Sequence, residues 1–584
     1  MSTLEQPISQ QRRPARFAIF AIAVVVVMSG LTLRLSSMQL SGSAQPAGAP
    51  GAAAAESRRT ALQPVVSTRG LIFDRAGQPP VANVPTFTVR VRPADLPLSR
   101  RPQVVERLAG LLETTPAAIN TSLDSGSASR FDAVAIARDV PEATARLIAE
   151  DGLTLPGVEV TVEPRRDYLT GALMTQVLGY TGAVSPEAYE ALAKKGYLAD
   201  DTIGQAGLEL TYEAELRGAY GTERVEKDGT GRTVRTIGIE TPPTAGSSLV
   251  LTIDTKEQRL AEKALRWGLA KAGIKRGALV VLNPQTGEVL AMVSLPTYDA
   301  NQFSRGITNA QFKALVDNPH KPLINHAIGD IQPPGSTYKL VTGLGGLADK
   351  IITPTSTLTS KPYVQLGATK FWEWDKRGWG PLDIIEGFGH SSDTYFYQLA
   401  HSLGIERLSH WARQLGFGSP TGVDLPFEAA GLVPTDQWKM DRFGQPIYPG
   451  EVLQAGIGQG FDLATVLQVA NAYAAVANGG KLYQPQVVRE VRDGDGLGRR
   501  HLARQDWHPD VHQPRILLRM HAQVVDAPAV RREHVRAAAR PAHHAGLVDF
   551  IEIEGGIGRV GRVHDLERVQ REAGLAGVDL GVLD

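Results

Sequence analysis

The sequence predicts an α+β protein of two or more domains, and three observations carry that prediction. The chain of 584 residues is longer than one hydrophobic core normally organises. Short alternating strand patterns such as TFTVRV at Thr86–Val91 stand beside amphipathic helical stretches such as Val104–Leu112. A long apolar run near the N-terminus is set off from both by a segment rich in Ala, Gly, Pro and Ser.

That apolar run, Phe17–Leu33, reads FAIFAIAVVVVMSGLTL, with Arg12, Arg13 and Arg16 before it and Arg34 after it. Its length reaches the lower limit for a bilayer-spanning helix. The basic flank predicts a cytoplasmic tail over 1–16, a single transmembrane helix over 17–36 in the cytoplasmic (inner) membrane, and everything downstream outside the cytoplasm. A cleaved signal peptide is the alternative, since Ala44–Ala55 offers small residues. A buried soluble helix fits less well, because the run is apolar on every face. Residues 37–66 read as a flexible tether that cannot bury enough apolar surface to offset chain entropy.

From Ser67 an α+β module is expected over 67–245. SLVLTI at Ser248–Ile253 then opens a second region, 246–488, with a helical stretch over Lys256–Ala272, the strand GALVVLNP, the turn QTG and the strand EVLAMVSL. The loop Pro284–Gly287 between two apolar runs signals a hairpin, because Gly supplies the positive φ the turn needs. No internal repeat of 20 to 50 residues is visible.

Basic and acidic residues balance at 61 each, which removes any global electrostatic reason to expect a nucleic-acid partner. Cys is absent, so disulfides, thiolate metal sites and a cysteine nucleophile are excluded.

The chemistry centres on IQPPGSTYKL at residues 331–340. Ser336 and Lys339 are three apart, one face of a helix, so the hydroxyl and the amine can meet. A serine hydroxyl is a weak nucleophile until a base accepts its proton, and a lysine serves when desolvation or nearby positive charge lowers its pKa. Pro333, Pro334 and Gly335 would start that helix sharply and leave Ser336 in its first turn, where free N–H groups help bind an oxyanion. The spacing alone is common on solvated helix faces. A second element, SSDTYFY at residues 391–397, places Ser391 and Asp393 two apart before an apolar run. A hydroxyl that relays a proton and a carboxyl group that orients the lysine are what an acyl-transfer site with a lysine base requires. A helix N-cap is the plainer reading of that segment, and both can hold together.

These motifs, with others in the same order along the chain, resemble the class B penicillin-binding proteins, and specifically the penicillin-binding protein 2 family of cell elongation. STRGLIFDRAGQPPVAN (Ser67–Asn83), RRDYLTGALMTQVLGYTGAVS (Arg165–Ser185) and GQAGLELTYEAELRGAYG (Gly204–Gly221) are similar to the motifs of its pedestal, or dimerisation-type, domain. GEVLAMVSLPTYDANQF (Gly287–Phe303), PPGSTYK, SSDTYFYQLAHSLGI and AGIGQGFDLATVLQVANAYAAVANGG (Ala455–Gly480) resemble its transpeptidase domain. The resemblance implies an elongated α+β pedestal followed by a β-lactamase-like domain, an antiparallel sheet packed by helices. It implies that Ser336 attacks the penultimate D-alanine carbonyl of a peptidoglycan stem peptide, Lys339 takes its proton, Ser391 relays a proton toward the leaving amine and Asp393 orients the network. An amine of a second stem peptide would resolve the ester as a cross-link, and β-lactams would trap the same serine. No metal or organic cofactor is implied. A polytopic glycosyltransferase of the elongation machinery is the implied partner.

Three departures from the family stand out. Gln332 replaces an aromatic residue, and Asp330 stands where Gly is usual. The Lys-Thr/Ser-Gly motif expected some tens of residues after Gly480 is absent, so the transpeptidase domain is expected to be incomplete at its C-terminal end. Residues 489–584 form an atypical tail: from Glu490 to Asp584 there is no Ser, Thr, Asn, Lys or Tyr, while His501, His508, His512, His521, His534, His543, His544 and His564 accumulate with Arg. A reading-frame change near Val488 in a GC-rich gene explains the missing Lys, Asn and Tyr, whose codons are AT-rich, but not the missing Ser and Thr. A metal site is the rival explanation, though the His spacings match no ligand pattern. Two functional alternatives therefore remain open: a catalytically impaired scaffold that lacks the third motif, and a β-lactam receptor or β-lactamase, the tether and pedestal motifs arguing against a lactamase, which needs neither.

Overall fold

The computed structural model describes residues 60–125, 133–198, 200–227, 233–494, 499–501 and 548–553. The expected span at 17–36 lies outside them. Among the described residues no helix is long and apolar enough to cross a membrane.

The chain divides into two compact units. In the smaller, Thr60–Val65, Gly221–Lys227 and Thr233–Thr241 form a three-stranded antiparallel sheet with Gly221–Lys227 in the middle. The larger unit, 67–219 with 244 onward, holds everything else.

Within the larger unit, the strand Val81–Val91 pairs antiparallel along its whole length with Val158–Tyr168, and at its C-terminal end with Val134–Val140. Alternate residues of a strand point to one face, and Val89 and Val91 are buried there. Val104, Val105 and Leu108 of the helix Arg101–Leu111 pack on them with Ala145 and Ile148 of the helix Glu142–Glu150. The amphipathic stretch expected over Val104–Leu112 is this first helix.

Three of the motif segments meet in one buried ionic cluster. Glu209, 0 % exposed, receives Arg69 and Arg166 at 2.7 Å each, and Arg69 also reaches Glu213 at 2.7 Å. Arg166 donates further to the Gly70 carbonyl at 2.7 Å and Asn83 Oδ1 at 3.0 Å. Burial alone would push the Glu209 carboxyl up, but the two guanidinium groups outweigh it and hold the pKa below the ordinary value. A depressed folded-state pKa contributes stability above the unfolded pKa, and that contribution is lost as pH falls through the folded value. Glu209→Ala leaves the buried Arg166 without a carboxylate and Arg69 with Glu213 alone, and is expected to destabilise the fold by about 3–5 kcal/mol, read as a lowered denaturant midpoint. An unchanged midpoint would mean that water enters and solvates both arginines.

The helix Thr255–Ala272 starts where Asp254 accepts the N–H groups of Lys256 and Glu257, and stops at Gly273 in the left-handed region. Its buried Ala261, Leu265 and Leu269 recur at four-residue intervals and cover one face of the hairpin Gly277–Leu282/Val289–Leu295, meeting Leu279, Val281, Ala291 and Val293. Ala278, Val280 and Leu282 point the other way, toward Leu467, Ala470 and Ala474 of the helix Val466–Ala477. The expected antiparallel sheet packed by helices is thus present, buried on both faces. Its turn closes at Gly287, φ 73°, where a Cβ would stand 2.7 Å from Tyr483 Cβ.

Strands continue past Val488. Val488–Arg492 pairs antiparallel with Ser248–Leu251 and with Arg499–His501, and Ser248–Leu251 pairs in parallel with Ile72–Phe73. Val548–Ile553 lies antiparallel against Gly277–Leu282, making a three-stranded sheet with the hairpin.

Candidate active site

The segment before Ser336 is tied down residue by residue. Gln332 and Ala464 exchange both backbone hydrogen bonds, 3.0 and 2.9 Å, and the Gly335 N–H donates to the Gly458 carbonyl at 2.8 Å. Asp330 meets His326 Nδ1 at 2.7 Å, with Arg276 at 3.8 Å. Of the two departures from the family pattern, Asp330 is held by its side chain and Gln332 by its backbone.

Ser336 lies in a 3₁₀ turn, Gly335–Tyr338, and the α-helix begins only at Lys339, running to Ala348. From the sequence alone, Ser336 is expected in the first turn of the α-helix itself. The difference has local causes: Gly335 takes φ 58°, and the Thr337 hydroxyl folds back on the Pro334 carbonyl at 2.6 Å. Ser336 therefore stands one turn before Lys339, whose ammonium is held by residues of the second motif. Tyr338 is buried edge-on against Phe417, and Tyr473 Oη donates to the Thr337 carbonyl at 3.0 Å.

The helix Lys339–Ala348 packs on the helix Asp393–Gln414, which breaks at Gly404. Gly345 and Gly346 permit the close approach, since a Cβ at either would stand 2.7 Å from Trp411 or Leu399. That packing brings together the two motifs. Lys339, 1 % exposed, points its ammonium at the Ser391 carbonyl (2.7 Å), Ser391 Oγ (3.2 Å) and Asp393 Oδ1 (2.7 Å). Those three acceptors match its three N–H donors.

Ser392, rather than Ser391, caps the second helix, accepting the Tyr395 N–H at 3.2 Å. Ser391 takes φ 49°, a left-handed conformation uncommon for serine, and in it both its carbonyl and its hydroxyl face Lys339. Asp393 sits in the first helical turn, where the helix dipole favours an anion. Burial lowers the pKa of Lys339, opposed by Asp393, and raises that of Asp393, opposed by Lys339. Both movements bring the neutral pair closer, as expected when two charges leave water together.

One residue escaped the sequence reading. Glu373, in the run FWEW, is 1 % exposed and accepts hydrogen bonds from the backbone of Asp393 (3.0 Å) and Thr394 (3.0 Å) and from the hydroxyls of Ser392 (2.7 Å) and Thr394 (2.7 Å). A lone Glu among aromatics carries no spacing signal, and only the fold sets it beneath residues 392–394. The third motif remains absent, and the strand beside the hairpin reads VDFIEI, with no Lys, Ser or Thr. Among the described residues no group of three His, Asp or Glu side chains could hold a metal ion.

A pedestal sheet joined to a helix-packed antiparallel sheet, with a Ser-x-x-Lys turn facing a Ser-x-Asp turn, is the architecture of a penicillin-binding protein. Residues 64–251 match the penicillin-binding protein dimerisation domain, and residues 277–527 match the penicillin binding protein transpeptidase domain. The peptidoglycan D,D-transpeptidase MrdA of Escherichia coli is 35% identical over 442 residues, 74% of this chain and 68% of the relative. Penicillin-binding protein 2 of Helicobacter pylori, solved in complex with MreC, superposes with a TM-score of 0.66 at 28% identity, covering 76% of this chain and 80% of that one. A chain from a peptidoglycan synthase complex, solved to explain how polymerization and crosslinking are coordinated, gives a TM-score of 0.59 at 29% identity, covering 88% of this chain and 85% of that one. The chain belongs to the penicillin-binding protein 2 family.

Proposed function

We propose that this chain is a peptidoglycan D,D-transpeptidase of cell elongation that works through an acyl-enzyme on Ser336. The observation that carries the reading is the buried Lys339 ammonium, held by Ser391 and Asp393 one turn from the serine. Loss of a proton from the Lys339 ammonium would free the amine lone pair for the serine proton. Ser336 Oγ then attacks the penultimate D-alanine carbonyl of a stem peptide as its proton passes to Lys339, and when the C–N bond breaks Ser391 gives its proton to the departing D-alanine amine and regains one from Lys339. An amine of a second stem peptide attacks the ester, forms the cross-link and releases Ser336. β-Lactams acylate the same oxygen, so covalent penicillin labelling tests the assignment. No metal or organic cofactor has a step in this chemistry.

The missing Lys-Thr/Ser-Gly motif favours a second reading for the chain as written, an impaired scaffold that keeps the first two motifs. The two readings separate on turnover rather than on fold.

The proposed setting is the cytoplasmic membrane, with 17–36 as the span, 37–66 as the tether, 67–245 as the pedestal, 246–488 as the transpeptidase domain and 489–584 as the tail. Arg12, Arg13 and Arg16 support this topology. A reporter fused after residue 60 is expected to be active only when it functions outside the cytoplasm; cytoplasmic activity would reverse the orientation. Partners of the kind seen with the relatives, MreC and a glycan-polymerising enzyme, suit a pedestal that holds the catalytic domain above new glycan.

A further inference from the structure

We propose that Glu373 is a positioning residue of this site: its carboxylate fixes the turn that carries Ser391 and Asp393, and its charge helps set the pH at which Lys339 gives up a proton. The inference rests on the Ser336–Lys339 reading above. Glu373 follows the strand Thr369–Trp372, outside both motifs. Its Oε1 accepts the Asp393 N–H at 3.0 Å and the Trp374 N–H at 3.2 Å. Its Oε2 accepts the Ser392 hydroxyl at 2.7 Å, the Thr394 hydroxyl at 2.7 Å, the Thr394 N–H at 3.0 Å and the Ser360 hydroxyl at 3.1 Å. The free N–H groups at the start of a helix are a ready anion site. Here the anion is supplied by the chain itself, and so many donors keep it ionised although it is buried, its pKa below the ordinary value against the effect of burial.

The consequence falls on Ser391. A non-glycine residue at positive φ persists only where its surroundings over-determine it. Behind Ser391, its own N–H is held by the Phe388 carbonyl at 3.0 Å; ahead of it, Glu373 holds Ser392, Asp393 and Thr394. The strained residue is thereby clamped on both sides with its carbonyl and hydroxyl on Lys339. The charged groups that bear on Lys339 are Asp393 and Glu373, and both favour the ammonium while burial disfavours it. Tyr397, one turn along the same helix, feels both carboxylates, and Lys361 meets the cluster through its backbone.

The test uses the full-length chain with 13Cε-lysine labelling, in which the Lys339 resonance is assigned by its loss in K339A and titrated by NMR, alongside acylation by fluorescent penicillin across pH. Removing a charge that favours the ammonium lowers the Lys339 pKa. E373Q, which keeps size and loses charge, is therefore expected to titrate about one pH unit lower, and the acid limb of acylation moves down with it. E373D keeps the charge but falls short of the helix terminus, so its limb stays near the parental position while the plateau rate falls about tenfold. A role in packing alone would lower the melting temperature of E373Q and leave its titration on the parental curve, and that result overturns the proposal. Should E373Q not melt cooperatively, E373D decides: a reduced plateau at unchanged melting temperature supports the clamp, and an unchanged plateau overturns it. If S336A is labelled as fast as the parent, the nucleophile assignment is what fails, and the NMR titration still decides the part played by Glu373.

Discussion

Ser336→Ala is expected to abolish covalent labelling of the chain by fluorescent penicillin, and Lys339→Ala to slow it by about a hundred- to ten-thousand-fold. The first effect is complete because the variant has no oxygen to acylate. The second is large because the Ser336 hydroxyl, near neutral pH, needs a base within reach at the moment of attack, and Lys339 is the buried amine one turn away. Its three N–H groups are engaged by Ser391 and Asp393, so K339A also frees the Ser391 turn and leaves Asp393 without its cation. Stability is therefore measured alongside rate, and K339R separates the two effects: it keeps a cation for Asp393 but cannot lose a proton at accessible pH. K339R is expected to melt closer to the parent than K339A and to label as slowly. The pH dependence has a definite sign. With Lys339 as the base, acylation requires its neutral form, so the rate is expected to fall as pH drops through its pKa, and burial places that limb below the range of an ordinary lysine. Undiminished labelling of Ser336→Ala would put the nucleophile elsewhere; undiminished labelling of Lys339→Arg would remove the lysine base.

The parts of this site that could be read in the sequence are those whose chemistry is local. Ser336 with Lys339, and Ser391 with Asp393, are each written within four residues, and the turn at Pro284–Gly287 and the helix after Asp254 carry their own signals. What joins Lys339 to Asp393 is not local. It depends on two helices approaching at Gly345 and Gly346, and nothing in either motif states that distance. The 3₁₀ turn at Ser336 is not legible because the two prolines and Gly335 fit either kind of helix start, and the choice is made by Gly335 at φ 58° and by the Thr337 hydroxyl on the Pro334 carbonyl. Glu373 was hidden for a related reason: a carboxylate in FWEW would by pattern face solvent, and its six donors come from other segments and from its own neighbour Trp374. The strand Val548–Ile553 carries no clean alternation, since Phe550 and Ile551 are adjacent, so its pairing with Gly277–Leu282 is not legible in the sequence.

A chimaera that keeps this chain through Arg492 and continues with the C-terminal segment of a relative carrying Lys-Thr-Gly or Lys-Ser-Gly is expected to cross-link stem peptides faster than the chain as written by several powers of ten. The junction follows from the structure: Val488–Arg492 is an integral strand, paired with Ser248–Leu251, and cutting before it would remove a central neighbour of that strand. In the family the third motif supplies a lysine that binds the substrate carboxylate and a hydroxyl that contacts the acyl group. Without them a stem peptide reaching Ser336 is expected to lack both the anchor at its carboxylate and the in-line hold for attack, even though Lys339, Ser391 and Asp393 are assembled. The deficit should therefore be larger for cross-linking of a flexible peptide than for acylation by penicillin, whose strained ring makes it less dependent on orientation. Val548–Ile553 fills the place beside Gly277–Leu282 with VDFIEI, which can satisfy the backbone of that strand but brings neither a cation nor a hydroxyl. The sheet is thus expected to hold while turnover is lost, so the chimaera gains more in cross-linking rate than in melting temperature. Should the chain as written cross-link at the rate of the chimaera, the tail from Glu490 supplies the missing contacts by residues of another kind, and its Arg-rich composition is where to look for them.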